Sequence, residues 1–365
     1  MRKKVSIIGS VGIPAKYGGF ETLVEYLTKD KINSDIEYHV FCSSKAYSEK
    51  LPVHNNAKLH YVNFEANGVS SIIYDIISII KASFFSDTML ILGVSGALIL
   101  PILRLFYRGK IVCNIDGLEH RRDKWSPFAR KMLKFFEGIA VRNSDVVVAD
   151  NKGIYDYVKE TYARESSVIA YGADHTSYVE LQEATKTKYK IPEKYYFSVC
   201  RIEPENNTHI LLEAFSQRGD DIVFVGNWDN SEYGRELKVK YSSKQNITLL
   251  DPIYDQHILN QLRSNCYCYL HGHSAGGTNP SLVEAMYLSL PIIAFDVNYN
   301  RYTTFGKAMY FKNVSDLHNV IDTLSFDKIK SCSADMQDVA SSHYTWYKIA
   351  EKYEEQYALE VTVNR

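Results

Sequence analysis

Residues 271–297 read HGHSAGGTNPSLVEAMYLSLPIIAFDV, a glycine loop, a short helix and a buried strand in succession. Gly276 and Gly277 permit close backbone approach or unusual backbone angles. Asn279 fits a helix N-cap and Pro280 the first helical position, where a missing N–H costs nothing. The free N–H groups from Thr278 to Val283 would then point into the loop, and such a helix start attracts phosphate through its partial positive charge. Glu284 sits about one turn further in, where it could reach a ribose hydroxyl. Nucleoside diphosphate recognition is the first reading of this stretch, and an ordinary capped helix is the competing one.

Other stretches carry chemistry as well. In GSVGIPAKYGGFE, residues 9–21, the pair Gly18-Gly19 opens a helix after a strand, again a phosphate-competent geometry. It is not a dinucleotide fingerprint, and a plain sharp turn would look the same. Arg201 stands where a strand gives way to a helix and could neutralise a diphosphate, or it could pair with Glu203 or Glu205. Asp116, in NIDGLEH, follows a strand and is the best candidate to accept a proton from, or orient, an acceptor hydroxyl. A turn-forming Asp before Gly117 is its alternative, and Glu119 and His120 are weaker candidates. Cys266, Cys268, His271 and His273 could suggest a metal, but zinc sites usually need two separated ligand pairs, so no metal is expected.

The elements that must position these residues alternate. Apolar strand patterns at Lys4–Gly9, Tyr38–Cys42, Leu59–Val62, Leu90–Leu92, Ile111–Asn114 and Val146–Ala149 have helical segments between most of them. The stretch from Thr176 to Pro192 reads as a linker. The alternation then restarts, with strands at Tyr196–Cys200, Ile222–Val225, Thr248–Leu250, Tyr267–Leu270, Ile292–Ala294 and Ala308–Phe311, and an amphipathic helix at Trp346–Leu359. This pattern predicts parallel sheets covered on both faces, in two doubly wound domains with a ligand cleft between them. Their expected bounds are 1–175 together with 346–365, and 176–345.

Composition agrees with this plan. A chain of 365 residues has room for about two cores. A net charge of −1 argues against a dedicated nucleic-acid binder. Six scattered cysteines without a CxxC pair suggest a reduced compartment. The start, MRKKVSIIGS, is too short for a signal peptide and runs into a strand. Thr88–Phe106 is long and apolar, but Gly93, Gly96 and Pro101 divide it into a strand, a turn and a helix from Ala97 to Phe106, so no transmembrane helix is expected. His120–Lys134 reads as a basic helix with aromatic edges. Arg121, Arg122, Lys124, Trp125, Arg130, Lys131 and Lys134 would suit an anionic membrane surface, or simply a solvated face.

The segments GIPAKYGGFETLVEYL at 12–27, NIDGLEHRRDKW at 114–125, YGAD at 171–174, CRIEPENN at 200–207 and HSAGGTNPSLVEAM at 273–286 resemble the retaining GT-B glycosyltransferases. More closely, they resemble the bacterial rhamnosyltransferase branch of capsule and cell-wall polysaccharide assembly. The resemblance implies an α/β GT-B fold, with two Rossmann-like domains facing a central cleft and the C-terminal helix crossing back to the first. It implies a donor held mainly by the second domain. Arg201 matches the phosphate-binding arginine, Glu284 the ribose-contacting glutamate, and Gly276, Gly277, Thr278 and Asn279 the loop at donor sugar and phosphate. Gly18 and Gly19 match the glycine pair facing the diphosphate. Two positions depart from the pattern: the first glutamate of E-x7-E falls at Gly276, and the lysine that partners the arginine falls at Asn206.

The implied activity is transfer of L-rhamnose from dTDP-L-rhamnose to a polyprenyl-diphosphate-linked saccharide. Departure and attack would take place on one face of the sugar, without a metal cofactor, on the cytoplasmic face of the bacterial plasma membrane. A UDP-hexose donor is the alternative. A nucleotide-sugar epimerase or a non-catalytic homologue is the reading from another class.

Overall fold

The computed structural model describes residues 2–16, 18–122 and 125–358. The chain divides into two units, residues 1–171 with 346–365, and residues 172–345.

The first unit holds β1 (Lys3–Ile8), β2 (Ile36–Ser43), β3 (Val53–His54), β4 (Ala57–Val62), β5 (Thr88–Leu92), β6 (Lys110–Asn114), β7 (Val146–Ala149) and β8 (Ser167–Val168). They form an 8-stranded sheet in the order β3-β4-β2-β1-β5-β6-β7-β8. Every pairing is parallel except β3 with β4 at the edge. The central strands β5 and β6 are buried throughout, as expected where helices cover both faces.

The second unit holds β9 (Tyr196–Val199), β10 (Ile222–Val225), β11 (Ile247–Leu250), β12 (Cys268–His271), β13 (Ile292–Phe295) and β14 (Met309–Phe311). These make a parallel 6-stranded sheet in the order β11-β10-β9-β12-β13-β14. The α/β architecture with two Rossmann-like sheets that the sequence predicts is present.

The helix Trp346–Ala358 packs into the first unit, against the helix Gly19–Lys29 and β6. Trp346, 2% exposed, stacks on Tyr26 with ring centroids 4.7 Å apart. The Tyr353 hydroxyl accepts a hydrogen bond from Asn114 Nδ2 at 2.8 Å. The Glu354 carboxylate accepts the backbone N–H groups of Ile32 and Asn33 at 2.9 and 2.8 Å.

Several expectations are corrected. The stretch Thr176–Pro192 is not a free linker. It contains the helix Glu183–Tyr189, and its backbone is tied to the helix Gln256–Ser264 through Val179 N–H to Ser264 Oγ and Gln182 N–H to Gln261 Oε1. Its polar side chains hid this, because it is held by hydrogen bonds more than by an apolar stripe. The expected helix Ala97–Phe106 is shorter, a tight turn at Ala97–Ile99 followed by Leu100–Leu103. The basic run is not one helix. A tight turn at Glu119–Arg121 is separated from the helix Pro127–Asn143, because the residue before a proline avoids helical angles. Ser126 is extended there, and its hydroxyl caps the new start by accepting Ala129 N–H at 3.3 Å. Among the described residues, no helix is long and apolar enough to cross a membrane.

Trp346→Ala should destabilise the first unit by ~3–5 kcal/mol, the usual cost of emptying a buried aromatic site. Denaturant unfolding checks this, and an unchanged midpoint would detach the final helix from the core.

Candidate functional site

In the second sheet the chain builds outward in both directions from the β9–β12 pair. Successive strands β9 to β11 run to one edge and β12 to β14 to the other. Ligands of open α/β sheets bind outside the carboxyl ends of strands at such a switch point. The loop 201–207 leaves β9 there and the loop 272–279 leaves β12.

The two loops are joined by backbone approach. A Cβ on residue 272 would lie 2.2 Å from the Asn206 carbonyl oxygen, so only glycine fits. Asn207 Nδ2 donates to the Gly272 carbonyl at 2.9 Å. The Ser274 N–H and hydroxyl both donate to the Glu205 carbonyl, each at 2.9 Å. Asn206 is buried, and its Nδ2 donates to the Arg201 carbonyl at 2.7 Å. Asn206 therefore fixes the turn that carries Arg201. The Arg201 side chain is exposed, and among the described residues it forms no ion pair with Glu203 or Glu205.

The helix Pro280–Tyr287 starts as its sequence predicts. Asn279 Oδ1 accepts the Ser281 N–H at 3.2 Å and the Ser281 hydroxyl at 2.8 Å, with Pro280 at the first turn. Gly276 has φ +115° and open space where a side chain would be. Gly277 is half-buried and Thr278 buried. Arg201, Asn206, Gly276, Gly277, Thr278 and Asn279 thus gather at one end of one sheet.

Glu284 lies on the same helix, in surroundings the sequence did not disclose. Its Oε2 meets Arg263, which is fully buried, and its Oε1 faces His175 Nε2 at 3.1 Å. Arg263 also donates to Asn260 Oδ1 at 2.8 Å. Burial pushes the Glu284 carboxyl up, but Arg263 and His175 outweigh it and hold it down at about 2. An ionised carboxylate has about four lone-pair sites, so a ribose hydroxyl could still donate to it. Arg263 and His175 are the site-supporting residues that sequence reasoning missed. The signal for Arg263 was available: it follows Leu262 and stands four residues after Leu259, on the buried side of its helix, where a charge demands a partner.

His271, at the end of β12, is 1% exposed, and neither ring nitrogen has a hydrogen-bond partner among the described residues. Burial lowers its pKa to about 3 and so keeps it neutral. It stacks on His273 at 4.3 Å. Strand alternation puts Cys268 and His271 on opposite faces of β12, so the Cys–His run does not converge on one point.

In the first unit, strand order reverses between β1 and β5, and the loop after β1 carries Gly18 and Gly19. Gly18, at φ 124°, is the N-cap of the helix Gly19–Lys29. The buried Glu21 carboxylate folds back onto this start, and its Oε1 accepts the Val11 N–H at 2.7 Å. Burial raises the Glu21 pKa. Asp116 lies at the carboxyl end of β6, half-buried at φ 57°, with its N–H donating to Asn114 Oδ1 at 2.9 Å. Glu119 and His120 turn to internal partners: Glu119 to Arg122 at 2.8 Å, and His120 to the buried Glu137 at 2.9 Å.

The basic run is largely engaged as well. Trp125 Nε1 donates to Glu119 Oε2 at 3.1 Å, and Arg130 Nε donates to the Trp125 carbonyl at 3.0 Å. Lys134 pairs with Glu137 at 3.1 Å, and Arg121 lies over the Tyr157 ring at 4.8 Å. Lys131 is exposed. Lys124 lies outside the described residues.

Arg263→Ala should cost the second unit ~3–5 kcal/mol by leaving a largely buried carboxylate short of its main partner. The folded pKa of Glu284 lies below its ordinary 4.5, so its contribution to stability is present above about 4.5 and is lost as pH falls towards 2. Acid titration of unfolding should show a loss in this window that Glu284→Gln removes. Equal acid sensitivity in the two proteins would refute the pairing.

Residues 182–321 match the family model Glycosyl transferases group 1, and residues 2–174 match the model Domain of unknown function (DUF1972). No curated protein matches the chain by sequence. Among solved structures, the chain is similar to sucrose-phosphate synthase from Thermosynechococcus elongatus (TM-score 0.81, 14% identity, 98% of each chain covered). It is similar to Anabaena HepE in complex with UDP-glucose (TM-score 0.74, 15% identity, 98% of this chain and 100% of that one). It is also similar to the catalytic domain of starch synthase IV from Arabidopsis thaliana bound to ADP and acarbose (TM-score 0.71, 12% identity, 98% and 99%). At these identities the likeness speaks to the fold. Residues 182–321 are thus similar to the glycosyl transferases group 1 family, and the chain has a GT-B fold.

Proposed function

We propose that the protein transfers a sugar with retention from a nucleoside-diphosphate donor, L-rhamnose from dTDP-L-rhamnose, to a polyprenyl-diphosphate-linked saccharide at the inner face of a bacterial plasma membrane. The observation that carries donor binding is the exposed guanidinium of Arg201, which forms no ion pair among the described residues, together with the capped start of the helix Pro280–Tyr287, on two loops stitched at Gly272. Both features attract a diphosphate. Glu284, held ionised by Arg263, suits a ribose hydroxyl.

In the step itself, the bond between the anomeric carbon and the diphosphate oxygen breaks while the acceptor oxygen bonds to that carbon from the same face. The acceptor proton passes to the departing phosphate oxygen. Arg201 and the helix N-terminus stabilise the charge that develops on the diphosphate. These groups supply positive charge without a metal ion. A UDP-hexose donor is the second reading, favoured by the likeness to HepE, whose structure holds UDP-glucose.

A panel of dTDP- and UDP-sugars with a polyprenyl-diphosphate acceptor tests the proposal. Transfer from dTDP-L-rhamnose that survives EDTA is expected. Arg201→Ala should lower kcat by about tenfold or more, because leaving-group charge loses its cation. Folded Glu284→Gln should mainly weaken donor binding, since a ribose contact is present in ground and transition states alike. Preference for a UDP-hexose would replace the donor. Donor turnover without an acceptor would point to an epimerase, and affinity without turnover to a binding homologue. Activity lost on chelation and restored by magnesium would overturn the metal-free mechanism.

A further inference from the structure

The helices on one side of the first sheet have an unusual outer surface. The turn Ala97–Ile99 packs against both the helix Ser70–Ser83 and the helix Pro127–Asn143, and Leu100–Leu103 lies against the latter. This layer carries about half of the large apolar side chains exposed among the described residues. Ile73 and Phe84 stand out from the first helix, Leu105 and Phe106 from the middle segment, and Phe128 and Phe135 from the last. Phe84 is 81% exposed and Leu105 79%.

The helix Ser70–Ser83 buries Tyr74, Ile79 and Ala82 together with Asp75 and Ser78, and also exposes Ile73 and Ile80. A helix lying on a sheet under water normally keeps such isoleucines off its outer face. Exposed apolar area of this extent marks an interaction surface.

Charge selects the partner. Residues 97–108 and 125–136 contain no Asp or Glu, while Arg108 and Lys131 are exposed. In residues 68–86 the one acidic residue is the buried Asp75, and Lys81 is exposed. The rim is therefore cationic. A second copy of this chain would set cation against cation across the contact. An anionic bilayer matches both the apolar centre and the basic rim.

We infer that the face formed by the helices Ser70–Ser83, Leu100–Leu103 and Pro127–Asn143 docks on anionic lipid by inserting its apolar side chains. This deepens the lipid-linked acceptor reading and rests on it for its purpose. It moves the burden of docking from the basic run, whose Arg122, Arg130 and Lys134 are tied to internal partners, to residues such as Phe84, Leu105 and Phe128.

Sedimentation with vesicles tests the inference directly. The full chain should bind vesicles of mixed phosphatidylglycerol and phosphatidylcholine, and part of the binding should persist at high salt. The triple variant Leu105→Ser, Phe106→Ser, Phe128→Ser should reduce binding by about tenfold or more, because apolar insertion is lost. Arg108→Glu with Lys131→Glu should instead abolish the preference over pure phosphatidylcholine. Unchanged thermal unfolding by circular dichroism confirms that the variants fold. Absence of vesicle binding, or a triple variant that binds like the parent, overturns the inference. So does a dimer, seen by light scattering, that the triple variant dissolves without any lipid effect. Turnover on a water-soluble acceptor is read in parallel. Turnover without lipid binding removes the docking surface alone, and lipid binding without turnover removes the transferase reading alone.

Discussion

The candidate donor site depends on one close approach of two backbones, the Asn206 carbonyl against residue 272. Strands β9 and β12 are neighbours, but their connections leave in opposite directions, so their exit loops would diverge unless something held them. The absence of a side chain at Gly272 lets the loops close to contact. Once they are in contact, Ser274 and Asn207 can satisfy carbonyls that would otherwise be stranded. The turn that presents Arg201 and the loop that leads to Asn279 are then one rigid object. Asn206 completes it from inside, where its amide donates to the Arg201 carbonyl.

A second constraint lies beneath that loop. Arg263, Glu284 and His175 form a charged group with little access to water. Such groups contribute little net stability, because desolvation offsets most of their attraction. Their geometric demand is strict, since a misplaced partner leaves a charge uncompensated. The arrangement ties the helix Pro280–Tyr287, the helix Gln256–Ser264 and the segment after Tyr171 to one another. That explains why a polar stretch resembling a linker is an ordered part of the second unit.

The first unit spends its charges differently. Glu137 gathers His120, Lys134, Tyr157 and Tyr162 around one buried carboxylate. Glu119 does the same on a smaller scale for Arg122 and Trp125. These contacts fold the NIDGLEH turn onto the helix Pro127–Asn143 and hold the backbone from which Asp116 projects. They also withdraw basic side chains from the surface, leaving an outer face dominated by apolar residues.

The sequence determined by itself whatever short-range patterning controls. The strands were legible because parallel strands buried on both faces are nearly unbroken apolar runs, and the cap at Asn279-Pro280 because helix starts are local chemistry. The tertiary structure alone decided who meets whom at long range. Nothing local in Arg263 names Glu284 as its partner, and nothing in Gly272 names the Asn206 carbonyl that excludes a side chain there. The basic run looked like one amphipathic helix because periodicity counts residue types and not partners. Pro127 broke it, and Glu119 and Glu137 claimed Arg122 and Lys134. The exposure of Ile73 and Ile80 on the helix Ser70–Ser83 was equally hidden, since a run of isoleucines on a helix reads as core until the fold shows which side faces the sheet.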